Sequence, residues 1–413
     1  MRVSTRLVLP VFLVGFAAAA QPVSVQPTVE TQAVVRGGSA TQDTALWVNP
    51  GTPAQSLLLV ADPTVGLVSF GLNGGERQAL LSDGVASGVD VRDGFTLQGG
   101  TAPLVVVANG TLQALTAYVV DPLTLQLRRV DTGNLILPNF SPRSVTLYRS
   151  SVSGVLYAFT SNASGTLQQV ELRPGTDGGV DGVPVRSLSV GGTIVGAVAD
   201  DQQGFLFVAQ QNTGILRFSA EPTANDTPTT VASVGAPLTA PLGGVSLYAL
   251  PDGTGYLLAA SEGGDQVVIY ERTPPHAVVG SFALVQNGAI DRVDAPVLVE
   301  ATSRWLGPDF PGGLVAVHDE INDPTQNDKL VAWATVASSF SPPLSSTPVP
   351  TDGGTDGGTG GRDGGIVGGG GIGDGPSYPV EPDSGCNCAT ASVPGTLLLG
   401  LAGLALLRRR RQE

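Results

Sequence analysis

The feature that most constrains this chain is a recurring pair of strands. An apolar run ends in a short polar turn, and a second, alternating run follows: LLLVADPTVGLVSFGLNG, LYAFTSNASGTLQQVELRP, LFVAQQNTGILRFSAEP and YLLAASEGGDQVVIYERTP. Each run has strand length and is bounded by Gly, Asp, Asn or Pro, which stop strands and shape turns. Further runs of the same kind, among them LVVVANG, LQALTAYVVD, GLVAVHD and KLVAWA, fill the spaces between them, and helical periodicity is nearly absent. Hairpins returning about every fifty residues predict radially repeated blades. The reading is all-β: a six-bladed β-propeller of four-stranded antiparallel blades over residues 34–340. A β-sandwich of this length would need more strands than one pair of sheets usually holds.

The two ends are organised differently. Arg2 and Arg6, the apolar stretch Leu7 to Phe16 and Ala18-Ala19-Ala20 have the layout of a secretory signal peptide over residues 1–20. From Ser341 the chain turns to Gly, Pro, Asp, Ser and Thr, which cannot bury a core, so 341–385 reads as a flexible linker. Residues 391–407 are uncharged and are followed by Arg408 to Arg411, the pattern of a short membrane segment with its cations on the cytoplasmic side. Cys386 and Cys388, the chain's two cysteines, stand just before it. A bond between them would be strained, and two are too few for a structural zinc site, so a sorting or lipid-attachment role is expected. The order Gly-Cys-x-Cys, apolar helix and arginine cluster over 386–413 resembles the C-terminal sorting tail of exported myxobacterial proteins. That resemblance implies export and sorting machinery as partners and display at the cell surface or outer membrane, with release as a variant.

Charge excludes one large class of function. The chain carries 21 basic and 35 acidic residues, a net charge of −14. Six of its arginines belong to the two ends, which leaves the body more acidic still, with Lys329 as its one lysine. Nucleic-acid binding needs clustered cations and is not expected. An acidic surface does suit divalent cations. His276 and His318 are the only histidines, too scattered for a histidine phosphatase. His276, after two prolines, reads as an exposed loop residue. No Gly-x-Ser-x-Gly, Walker or paired-cysteine zinc pattern occurs in the body.

With the hairpins aligned, the body resembles the β-propeller phytases. The ordered segments that carry the resemblance include QDTALWVNP (42–50), GVDVR (88–92), VADDQQGFLFVAQQNTGILRFSAEP (198–222), GTGYLLAASEGGDQVVIYER (253–272) and LGPDFPGGLVAVHD (306–319). The resemblance implies a monomeric propeller that uses Ca2+, held by carboxylates at one mouth, to remove phosphates from inositol phosphates such as phytate. It offers Asp43, Asp90, Asp200, Asp201 and Asp319 as metal ligands, and Arg92 and Arg143 as phosphate-binding groups. The same aspartates have a structural alternative, because aspartate commonly closes turns at strand ends.

Several family positions are changed. Gln42 precedes Asp43 in place of an acid, and Val195, Gln210, Gln211, Pro241 and Gly243 stand where acids are expected. Pro63, Thr64, Gly110 and Ala163 replace phosphate-binding cations, while Arg143 stands where the family carries a tyrosine. Two functions follow as expectations. One is a surface-anchored phosphomonoesterase weakened toward phytate; the other is a phytase-like propeller without catalysis that serves as a binding module.

Overall fold

The computed structural model describes residues 21–33, 43–97, 99–131, 135–176, 178–322 and 325–347. The expected signal segment, the linker beyond residue 347, and the tail with Cys386, Cys388 and 391–407 lie outside the described residues. Among the described residues no helix is long and apolar enough to cross a membrane.

The strands form six sheets, each built on an up-and-down antiparallel meander of consecutive strands, so the six-bladed propeller read from the sequence is the fold. The innermost strands are Asp43–Trp47, Ala86–Leu97, Ser144–Arg149, Ile194–Asp200, Val245–Ala249 and Pro296–Thr302. Each lies against the next and the last lies against the first, which closes the ring around an axial channel. Antiparallel strands with both faces covered read as continuous apolar runs. The second strand of blade 1, Leu57–Asp62, is buried at every position, as is that of blade 5, Gly255–Ser261.

Packing energy lies between the blades. Six apolar layers separate the six successive pairs of sheets, for example Leu58, Phe70, Leu314 and Leu330 between blades 1 and 6, or Tyr148, Phe159, Leu206 and Phe218 between blades 3 and 4. Turn chemistry at the ends of the second strands is equally regular. Asp62 Oδ1 accepts from the Thr64 and Val65 N–H groups, Asn109 Oδ1 from Leu112, and Asn162 Oδ1 from Ser164 and Thr166. These side chains replace backbone partners that a tight turn leaves unmet.

Both ends of the body reach past the boundaries drawn from sequence. Val29–Glu30 pairs antiparallel with Asn327–Ala332 and supplies the outermost strand of blade 6. Val23–Val25 adds parallel to Val278–Leu284 as a fifth strand of blade 5, so the sheets begin ahead of residue 34. After the last strand, helix Trp333–Ser338 seats Trp333 against Tyr248, with ring centroids 3.8 Å apart. The Trp333 indole N–H donates to the Ser345 carbonyl at 2.9 Å, and the Thr347 hydroxyl to that of Ser303 at 2.7 Å.

His276 corrects the sequence reading. It is 5% exposed, accepts from Arg217 at 2.8 Å and meets Phe207 edge to face. The polar contact and the ring together allow burial that two preceding prolines do not reveal.

Trp333→Ala should lower stability by about 3–5 kcal/mol, because it removes a fully buried aromatic and leaves a cavity. Denaturant midpoints check this against Leu123→Ala, at a side chain 90% exposed, which should stay within about 0.5 kcal/mol of the parent.

Candidate functional site

All six inner strands run in one sense, so the channel has a front mouth at their first residues and a rear mouth at their last. The front mouth holds a cavity of about 360 Å³ lined by Ser87, Arg143, Ser144, Ser161, Asn162, Ala163, Thr193, Val195, Gln211, Gly243 and Glu262, among others. Behind it, past Leu298, is a neck of about 60 Å³ bordered by Asp43, Asp90, Arg92, Thr146 and Glu300. Beyond the neck a cavity of about 500 Å³ opens at the rear, lined in part by Arg92, Asp201, Gln202, Ser246, Arg272, Glu300 and Arg304.

The neck is a half-buried ionic network. Asp43 accepts from the Thr44 and Val89 N–H groups at 3.0 and 3.1 Å. Asp90 accepts from Val91 at 2.6 Å and from Leu147, on the next blade, at 2.7 Å. The Arg92 guanidinium donates to Asp90 at 2.9 Å and to Asp201 at 3.1 Å, and Asp201 also accepts from the Arg149 N–H at 3.1 Å. The Ser246 hydroxyl donates to Glu300 at 3.0 Å. Burial raises Asp43 well above the usual carboxylate range and raises Asp90 despite its arginine partner. Glu300 is pushed up to about 8, chiefly by burial and then by Asp90.

The chain matches the Phytase family model over residues 4–346. It is 30% identical over 318 residues to a 3-phytase of Bacillus subtilis (strain 168), an alignment that covers 75% of this chain and 83% of that protein. The chain belongs to the phytase family. Among solved structures, BBS1N in complex with ARL6DN, soaked with lead, is similar at a TM-score of 0.42 and 12% identity, over 70% of this chain and 78% of that one. The same complex soaked with mercury gives 0.43 and 11%, over 76% and 97%.

Several positions at which the resemblance expects charge come together at the front mouth. Ala163, Val195, Gln211 and Gly243, all at positions where the resemblance expects charge, line the same cavity. At Gly243 the packing requires glycine. A Cβ there would lie 2.3 Å from the Val297 carbonyl oxygen, so no larger side chain fits unless blades 5 and 6 separate. Arg143 is exposed, and only its backbone N–H is engaged, donating to the Ser161 carbonyl at 2.8 Å. Among the described residues its guanidinium has no protein partner.

The five aspartates proposed as metal ligands occupy four places. Asp43 and Asp90 share the neck, and Asp201 stands at the rear mouth bound to Arg92. Asp200 is buried and is gripped by Arg272 through two contacts of 2.6 Å, while its Oδ1 also closes the turn to Gln202 and Gln203. Asp319 is buried against Lys329, whose ammonium also meets Asp291 at 2.7 Å and Asn322 at 3.0 Å. Arg92, a phosphate-binding candidate, is committed to carboxylates inside the neck, which leaves Arg143 as the candidate cation on the front mouth. Calcium takes six to eight oxygen ligands. Among the described residues no group of three or more His, Cys, Asp or Glu side chains is placed to hold a metal ion. The described residues therefore do not fit a calcium centre built from these acids.

Glu300 and Ser246 escaped the sequence reading. The available signal was a lone acid in the otherwise apolar inner strand PVLVEAT. Glu262 and the Arg272 partnership had none, because both depend on neighbouring blades.

Glu300 titrates near 8 in the folded chain against an ordinary value of 4.5, so folding binds its proton more tightly. Its contribution is full below about pH 4.5 and is lost as pH rises through 8. Glu300→Gln should match the parent in unfolding free energy from urea titration at pH 4.5 and exceed it at pH 8.5 by about 1–3 kcal/mol.

Proposed function

We propose that this is an exported, surface-anchored member of the phytase family whose front mouth engages phosphorylated small molecules and hydrolyses phytate only weakly. The observation that carries the reading is the lining of that mouth, where Ala163, Val195, Gln211 and Gly243 leave Arg143 as the open cation. Phosphoryl transfer depends on preorganised charge around the reacting phosphate. Each missing contact costs about 10²–10³ in rate, and several are missing together. A second reading, a binding module without turnover, is favoured by the absence of any three-residue metal-binding group among the described residues.

Phosphate release from phytate by the purified protein tests both. The expected rate is at least about a thousandfold below that of an active family member in the same assay, and added calcium leaves it unchanged. Calcium-stimulated release at a comparable rate would overturn the proposal. A complete absence of release would select the binding module.

Export and anchoring are supported by the layout of residues 1–20 and 386–413. Replacing Cys386 and Cys388 together by Ser should shift the protein from the surface to the internal membrane fraction in its uncleaved form. Fractionation and surface labelling read this, and unchanged surface display would remove the two cysteines from sorting.

A further inference from the structure

We infer that the front mouth selects a singly phosphorylated polyol and binds it through Arg143 without a metal ion, excluding highly phosphorylated ligands. This rests on the reading above that the front mouth engages phosphorylated small molecules. The cavity, of about 360 Å³, lies within the size range of small-molecule sites. Its lining has one cation, Arg143, and one acid, Glu262. A guanidinium presents a planar fork that matches a phosphate in a bidentate way. Arg143 is exposed and has no competing protein partner among the described residues, unlike Arg92, which is held by Asp90 and Asp201.

The rest of the wall suits hydroxyl groups rather than further anions. Ser144 and Ser161 form a hydroxyl pair, Oγ to Oγ 2.7 Å. The Asn162 Oδ1 is occupied by its own turn, which leaves its amide N–H groups to donate. Thr193 and Gln211 add neutral donors and acceptors. A second phosphate in the same cavity would meet no second cation and would approach Glu262, whose like-charge neighbour is Glu320. The whole chain, at −14, adds repulsion against any polyanion at low salt. One phosphate with hydroxyls is thus the charge and polarity that this lining complements, and no calcium ion is needed to offset a larger charge.

The test is calorimetric titration of the full chain in EDTA with inorganic phosphate, myo-inositol, myo-inositol monophosphate and phytate. The monophosphate should bind more tightly than inorganic phosphate or myo-inositol alone, and at least about tenfold more tightly than phytate. Arg143→Gln, a change at an exposed side chain, should weaken the monophosphate by about tenfold or more with an unchanged thermal midpoint. Glu262→Gln should narrow the gap between monophosphate and phytate. Phytate binding as tightly as the monophosphate in EDTA, or an Arg143→Gln variant that binds normally, would overturn the inference. Either failure is separable from failure of the weak-hydrolysis reading, which only calcium-stimulated phosphate release would show.

Discussion

Closure of the ring is the constraint on which everything else rests. Six sheets arranged around an axis have no covalent link between first and last, so the join must be made by pairing. Here the N-terminal segment makes it with Val29–Glu30 on blade 6, and its Val23–Val25 reaches on to blade 5. The chain after blade 6 adds Trp333 against Tyr248 and Tyr256 on the neighbouring sheet. With the ring closed, the six apolar layers between blades are all satisfied, and the inner strands come close enough to define a channel. The same closeness forbids a side chain at Gly243 and at Gly196, where a Cβ would lie 2.6 Å from Gly244 Cα.

Charge inside this fold is used largely for cohesion. Asp43 and Asp90 each bond the backbone of the next blade, at Val89 and Leu147. Asp200 reaches Arg272 on blade 5, where both side chains are almost fully buried. Burying a charge is costly unless a partner and hydrogen bonds accompany it: Asp90 and Asp200 have arginine partners, whereas Asp43, met only by backbone N–H groups, is raised well above the usual carboxylate range. A carboxylate so engaged holds neighbouring blades in register, and it is correspondingly less available to a metal ion. The front mouth differs, since its polar groups are neutral apart from Arg143 and Glu262.

Family membership and local chemistry therefore carry different weight. The match over residues 4–346 assigns the family and agrees with the propeller, while function depends on a handful of side chains at one end of the channel. At that end Ala163, Val195, Gln211 and Gly243 gather from blades 3, 4 and 5 around one cavity rather than being spread over the surface.

The sequence by itself determined the architecture, because hairpin spacing and the alternation of apolar runs with turn residues are local properties that leave few ways to bury so many short strands. Through the family resemblance it also marked Asp43 and Asp90, which lie in short motifs on inner strands, and Arg143, which stands where the family carries a tyrosine. Only the tertiary structure decided which groups meet. Asp200 with Arg272, Asp319 with Lys329, and Glu300 with Ser246 and Asp90 are pairings across turns and blades, and none leaves a signature within a window of sequence. Partnership is a matter of distance in the closed ring, and the same aspartate can be a metal ligand, a turn closer or an inter-blade tie depending on what the ring brings within about 3 Å of it.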